Sequence, residues 1–360
     1  MQNSSQVEPS AENKISGDAA LPRVSIILPT LNSARTLDAC LTSIRSQDYP
    51  SDKIEIVVAD AGSSDATLET ARRHKVEQIV ENPLRTGEAG KAAAIAASHG
   101  SLLALIDSDN LLPAPDWLRR MVAPFRDPAI FASEPWEYTR RPEDSALTRY
   151  FAMLGMNDPL CLFVGNYDRL CAITGRWTGL DLETEDHGDY LHVTLTPDKL
   201  PTIGANGCLI RRSVLEHARW SPYYFDIDVI QQAVAAGLGG VAKVKCGIIH
   251  LYADRLSEFG RKQNRRISDF LHFRQEQERT YPWSSLQTHG IIRFCLSTTL
   301  ILPLLWQMAR GVRHCPDRAW LYHLPVCWTT LWHYGRAVVR KKLNPATGPA
   351  SREKWQQDQG

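Results

Sequence analysis

The pair Asp107 and Asp109, in Asp107-Ser108-Asp109-Asn110, is the feature of this chain best suited to hold a divalent cation. In extended backbone, residues i and i+2 point to one side, so two carboxylates would face a single point. Like charges that close repel each other unless a hard cation lies between them and a substrate. Mg²⁺ or Mn²⁺ binds in this way through one or two carboxylates plus substrate phosphates. Two further polar clusters end apolar runs: Pro29-Thr30-Leu31-Asn32, and Asp60-Ala61-Gly62-Ser63-Ser64-Asp65. Taken singly each has a plainer use, since Asp60 and Asp65 also suit turns and helix caps, and Asp107 and Asp109 a solvated turn. The chain has no G-x-x-x-x-G-K-[ST] and no G-x-G-x-x-G after its first apolar run. ATPase and dinucleotide chemistry therefore lose support.

The elements that must carry these clusters alternate regularly from Pro22. Val24–Leu28 reads as a buried strand, followed by a helix over about 36–47 with apolar Leu37, Leu41 and Ile44. Ile54–Ala59 reads as a second strand, and Asp65-Ala66-Thr67 opens a second helix. A weak strand at 78–80, a helix at 91–98 and a strong strand at 102–106 complete the series. Such alternation argues for a doubly wound α/β sheet, in which ligands bind beyond the carboxyl ends of the strands. All three clusters then share one rim.

The ordered trio Val24–Asn32, Val57–Thr67 and Ala104–Asn110 resembles the inverting family-two glycosyltransferases of the GT-A fold, over about residues 22–266. The resemblance implies a metal-dependent, hexosyltransferase-like enzyme that takes a nucleotide-diphospho-sugar, with Mn²⁺ or Mg²⁺. It implies that Pro29, Thr30 and Asn32 line the nucleotide site and that Asp60 accepts from the base. Lys91 becomes a phosphate contact near a helix start, where free backbone N–H groups favour anions; a solvated helix lysine is the plainer alternative. Asp107 and Asp109 match the metal-binding pair, and His250 matches a third ligand, imidazole being suited to Mn²⁺. Gly204 and Asn206, in Pro201–Gly207, match a segment bordering the acceptor; an ordinary turn competes. In Tyr224–Val229 the family's acidic motif has Phe225 where Glu is usual, which leaves Asp226 at the general-base position and Asp228 to cap or orient the next helix. Gln263 and Arg266, in a run with four cations (Arg261, Lys262, Arg265, Arg266), resemble a degenerate Gln-x-x-Arg-Trp motif facing diphosphate or acceptor. A solvated basic helix explains that run equally well.

Residues 134–200 fall outside the core pattern. They are rich in aromatic and small residues, as a sugar-binding or lid insertion would be, and ordinary packing accounts for them too. Towards the end, Phe294–Ala309 and Ala319–Gly335 are uncharged runs of 16 and 17 residues, each containing a proline. A spanning helix needs about 20 apolar residues. Arg310, Arg313 and Arg318 lie between the runs, and Arg336, Arg340, Lys341 and Lys342 follow them. A bilayer-crossing hairpin would put the first group outside, against the positive-inside tendency. Interfacial or re-entrant helices on the cytoplasmic face of a membrane fit better, with a soluble helical subdomain as the alternative.

Forty-one basic against forty acidic residues give a formal charge of +1, so no global footprint for nucleic acid exists. Eight cysteines without a C-x-x-C pair read as reduced thiols. The expected organisation is a lead-in at 1–20 with no signal-peptide pattern, a GT-A domain at 21–287 carrying the 134–200 insertion, membrane-associated helices at 288–343, and a flexible tail at 344–360. The expected acceptor is lipid-linked or a glycan. The rival expectations are a sugar-phosphate nucleotidyltransferase and a non-catalytic membrane-peripheral binding protein.

Overall fold

Ten strands form the frame: β1 (Val24–Thr30), β2 (Ile54–Asp60), β3 (Gln78–Glu81), β4 (Leu102–Leu105), β5 (Asn110–Leu111), β6 (Ile130–Tyr138), β7 (Glu183–Asp186), β8 (Tyr190–Thr194), β9 (Cys208–Arg211) and β10 (Gly240–His250). The computed structural model describes residues 21–275, 279–281 and 288–343. The lead-in and tail expected at 1–20 and 344–360 lie outside the described residues.

The sheet runs β3-β2-β1-β4-β9-β6-β10-β8-β7, with β5 paired to β10. Pairings from β3 to β4 are parallel. β9 is antiparallel to both its neighbours, β10 is parallel to β6, and the β7–β8 hairpin closes the edge antiparallel. All path strands except β9 and β8 therefore run one way, which gives the mostly parallel α/β sheet expected, modified by two reversed strands.

Period-two alternation explains how the sheet is buried on both faces. Val24, Ile26 and Leu28 of β1 pack with Leu37, Leu41 and Ile44 of helix Ala34–Arg45 on one face. Ile27, Val57 and Leu105 face Ala94 and Ile95 of helix Gly87–Ala97 on the other. That alanine-rich helix starts at Thr86, whose side chain accepts from the Ala89 N–H. At Gly90 a Cβ would lie 2.8 Å from the Pro29 side chain, so glycine lets the helix press against the end of β1.

Two expectations change here. Glu134 lies in β6, a central strand between β9 and β10, so the segment starting at 134 begins in the sheet and is not wholly an insertion. Asp107 and Asp109 lie in a turn closed by the Asn110 N–H donating to the Asp107 carbonyl at 2.9 Å, not in extended backbone. The same-side argument for the two carboxylates therefore does not hold.

Helices Thr288–Leu300, Leu302–His314 and His323–Leu343 follow the sheet domain. The first expected apolar run breaks at Ile301, with φ of 63°, just ahead of Pro303, and its two helices bend by 93°. Among the described residues no single helix is long and apolar enough to cross a membrane, although that bent pair passes by length and composition together. An inner face ties these helices to the domain. Trp320 is fully buried edge-on against Tyr150, whose hydroxyl bonds His323 at 2.8 Å, and Asp317 pairs with Arg140 and Arg149 at 2.9 Å.

Candidate active site

One cleft of about 1230 Å³ opens along the carboxyl rim of the strands. Pro29, Thr30 and Asn32 line it from β1 and the loop beyond, Asp107 and Asp109 from the turn after β4, Asp226 and His250 from later segments. Asn32 has a φ of 48°, and its side chain accepts from the Ser64 N–H at 2.9 Å, joining the first two rim loops.

Asp60 stands just behind this lining. Its carboxylate accepts from Thr30 Oγ1 at 3.0 Å, Ser63 Oγ at 2.6 Å, and the Gly62 and Ser63 N–H groups at 3.0 and 2.8 Å. Those four donors fill its acceptor positions, so Asp60 shapes the loop, and receiving a base N–H requires one donor to leave.

His250 reaches Asp109 through strand pairing. The short β5 pairs antiparallel with the end of β10, setting His250 opposite Asn110. His250 Nε2 then lies 3.4 Å from Asp109 Oδ1, and Lys262 Nζ lies 3.7 Å from Oδ2. Burial alone would raise the Asp109 carboxyl; His250 and then Lys262 overcome it and hold the group below the usual carboxylate range. Asp109 Oδ1 is buried without a hydrogen-bond partner, an expensive state that a cation would relieve, whereas the unpartnered His250 Nδ1 lies on the ring edge away from it. Such a carboxylate beside an imidazole suits Mn²⁺ or Mg²⁺ completed by phosphate oxygens. Asp107 is not within 4.8 Å of both. Among the described residues, the group of three or more acidic, His or Cys ligand atoms lying within 4.8 Å of one another is Glu185, His187 and His192, on the exposed β7–β8 hairpin. Of the expected trio, Asp109 and His250 stand together, and Asp107 lines the cleft beside them.

Asp226 begins helix Asp226–Ala235, where the helix dipole favours a carboxylate. Lys91 Nζ donates to both its oxygens, at 2.8 and 2.7 Å. Burial pushes the Asp226 carboxyl up to about 6 against the pull of Lys91, and Asp107 and Glu88 add to the rise. Lys91, expected at phosphate, is held by the expected base. Gly204, with φ of 119°, does not line the cleft; a Cβ there would lie 3.0 Å from the Asp226 Cβ, and its N–H donates to Glu134 at 3.1 Å. It supports Asp226 from behind. Asn206 does line the cleft and accepts from Asn110 at 3.2 Å, tying the two polar turns together.

Two expectations about acids and amides are corrected. Asp228 caps nothing: it accepts from Arg279 at 2.7 Å and from the Thr280 and Tyr281 N–H groups at 2.5 and 2.9 Å, anchoring residues 279–281. Gln263 is fully buried, donating to the Asn157 carbonyl at 3.1 Å and accepting from the Tyr334 hydroxyl at 2.9 Å, so it does not face diphosphate or acceptor. Arg266 stays in the lining, 38% exposed. Sequence reasoning assigned no role to Asp158, Asp168 or Asp269, which also line the cleft. Periodicity offers no signal for them, because tertiary packing alone brings them to this rim.

The family model for Glycosyl transferase family 2 matches residues 25–217. The chain belongs to glycosyl transferase family 2. Glycosyltransferase AglE of Haloferax volcanii is 36% identical over 110 residues, covering 29% of this chain and 36% of the relative. An N-acetylglucosaminyltransferase of Mesorhizobium japonicum is 34% identical over 154 residues, covering 41% and 36%. The chain thus spans about a third of the length of these curated relatives. The structure of mannosyltransferase PcManGT from Pyrobaculum calidifontis, in complex with GDP-Man and Mn²⁺, aligns with 91% of this chain and 89% of its own, at a TM-score of 0.52 and 20% identity. At that identity the likeness concerns the fold alone.

Proposed function

We propose that this chain is an inverting glycosyltransferase that moves a sugar from a nucleoside-diphospho-sugar to an acceptor hydroxyl, with Asp226 as general base. The observation that carries this reading is a carboxylate at a helix start, opening on the rim cleft and raised to about 6, in the same cleft as the Asp109–His250 pair. A base with that affinity for protons is ionised at neutral pH yet strong enough to take one. The acceptor hydroxyl gives its proton to Asp226 while its oxygen attacks the anomeric carbon. The C–O bond to the diphosphate breaks on the opposite side, and a single displacement inverts the centre.

Lys91 has two claimants in this scheme. Its bridge to Asp226 occupies both carboxylate oxygens, and a donor diphosphate entering the cleft competes for the same ammonium. Donor binding would draw Lys91 away and free the base for the acceptor. Asp109 and His250 would hold Mn²⁺ or Mg²⁺, which when bound supplies positive charge for the leaving diphosphate.

The same reading puts the protein at the cytoplasmic face of a membrane, peripheral or re-entrant, acting on a lipid-linked or glycan acceptor. Ile79 is the one exposed large apolar side chain outside residues 288–343, among the described residues. Leu302, Trp306, Leu321 and Trp332, each 60% exposed or more, lie within that region. Residues 288–343 carry eight Lys and Arg against the single acid Asp317, which supports contact with anionic lipid.

The test is a thermal-shift panel of nucleoside diphosphates and their sugars with and without Mn²⁺. One nucleotide is expected to stabilise the protein, by about 2.7 kcal/mol at a hundred times its Kd. Asp109→Asn should remove the Mn²⁺-dependent part. An unchanged Mn²⁺ dependence in that variant would refute the metal assignment.

A further inference from the structure

The cleft does not end at the carboxylates. Beyond Arg265 and Arg266 it continues into an arm lined by Val164, Ile291, Phe294, Leu331, Val338 and Val339. Its walls come from helices Leu160–Val164, Thr288–Leu300 and His323–Leu343. The first two are pressed together at Gly290, where a Cβ would lie 2.7 Å from the Val164 Cα, so the wall is built and not a loose gap. Ile291, Val338 and Val339 line the arm while standing 42%, 46% and 53% exposed. The arm therefore opens on the face that carries the exposed apolar side chains.

Resting on the glycosyltransferase reading, we infer that the acceptor is an amphiphile, whose phosphate-bearing head meets Asp226 and whose hydrocarbon tail lies in this arm. Three observations converge on that occupant. The cavity, about 1230 Å³, exceeds the roughly 300–1,000 Å³ of an ordinary small-molecule pocket, leaving room beyond a donor. The arm's side chains are hydrocarbon, which suits a lipid chain and offers a glycan chain few partners. At the neck, where hydrocarbon gives way to the polar cleft, stand Lys262, Arg265 and Arg266; Lys262 and Arg266 lie 3.7 Å from Asp109 and Asp158, so a phosphate there would compete with those carboxylates for their charge. In the reaction the head's hydroxyl loses its proton to Asp226, its oxygen bonds the anomeric carbon, and the nucleoside diphosphate leaves with the electrons of the broken C–O bond.

The experiment uses the full chain and two probes, dodecyl phosphate and a photoreactive dodecyl phosphate with a diazirine near the tail end. Each buried methylene should strengthen binding about fourfold, so dodecyl phosphate should far outcompete methyl phosphate. Crosslinks should map to Ile291–Cys295 and to 331–339. Ile291→Asp and Val338→Asp change half-exposed positions; each should weaken probe binding at least tenfold and leave nucleotide–Mn²⁺ stabilisation, which also reports folding, as in the wild type. Crosslinks confined to Leu302, Leu321 and Trp332 would overturn the inference, because the tail would then only touch the outer face. Methyl or inorganic phosphate competing as well as dodecyl phosphate would overturn it too, by reducing the site to a phosphate site. If nucleotide and Mn²⁺ give no stabilisation in the wild type, the glycosyltransferase reading itself falls, and a normal nucleotide response with no arm labelling condemns the tail site alone.

Discussion

Two lysine–carboxylate pairs lie close together in this fold and are built for different ends. Lys91 and Asp226 meet through two short bonds, with side chains 8% and 22% exposed on the cleft. Lys243 and Glu134 meet at 3.1 Å with both side chains at 0%, facing each other across the β6–β10 register. Arg169 completes the second cluster, 2.9 Å from Glu134 and 2.5 Å from Asp168. A pair with one open edge can change partners when a charged ligand arrives. A closed one cannot, and its value lies in holding β6, β10 and the 168–169 turn in place. Gly204 joins the two, donating to Glu134 while packing on Asp226.

Substitution at the open pair should have the largest effect. Asp226→Asn keeps size and hydrogen-bonding capacity and loses the ability to take a proton. Transfer should fall by about 10²- to 10⁴-fold, with nucleotide binding within a few-fold of wild type. Steady-state transfer and nucleotide titration on the same preparation check both halves. Near-normal transfer would remove Asp226 from the mechanism.

At the closed pair the same kind of change should strike stability instead. Glu134→Gln leaves Lys243 and Arg169 buried with only Asp168 to balance them. Breaking a buried pair in this way costs about 3–5 kcal/mol. Denaturant unfolding should show that loss, while transfer per folded molecule drops far less than in Asp226→Asn. A variant as stable as wild type but inactive would mean that Glu134 belongs to the chemistry.

The pH profile sharpens the contrast. Burial holds the Asp226 carboxyl at about 6 against Lys91, with Asp107 and Glu88 facing the same group. The base works ionised, so kcat/KM should rise with pH through about 6 and then level off. Lys91→Met removes the group that pulls the carboxyl down, so the midpoint should move to higher pH. A profile flat between pH 5 and 8 would contradict this assignment.

β1, β2 and β4 were legible because each is an apolar run bounded by turn residues, β3 only weakly because it reads Gln-Ile-Val-Glu, and the rim clusters follow from strand ends alone. Later parts obey longer-range rules. β6 contains Glu134, and β7 reads Glu-Thr-Glu-Asp, so neither shows the apolar pattern of a strand. The meeting of His250 with Asp109 depends on a two-residue pairing that periodicity does not reveal. Spacing misled at Asp107, where a turn replaced the assumed extended backbone. It misled again at Gln263, which looks like a member of a solvated basic run until Tyr334, 71 residues later, closes over it. The family resemblance located Asp226 but not its bond to Lys91, since two residues 135 apart in sequence carry no local mark of their contact.

The smallest expected effect lies two residues from the base. Asp228 does not line the cleft and is 2% exposed, bound to Arg279, which does line it, and to the backbone of 280 and 281. Tyr281 in turn donates to the Leu200 carbonyl at 3.0 Å, beside the segment that carries Gly204 and Asn206. Asp228→Asn keeps an oxygen for the two backbone donors and gives up the charge facing Arg279. A lost hydrogen bond to a charged group costs about 1.5–3 kcal/mol, so a modest fall in stability is expected. Transfer should drop less than tenfold, because the base itself is untouched, and the midpoint near pH 6 should stay where it is. That unmoved midpoint separates an anchor from a proton acceptor. Should Asp228→Asn instead abolish transfer and erase the pH dependence while Asp226→Asn keeps both, the base is Asp228 and the Lys91–Asp226 bridge is structural, like its buried neighbour.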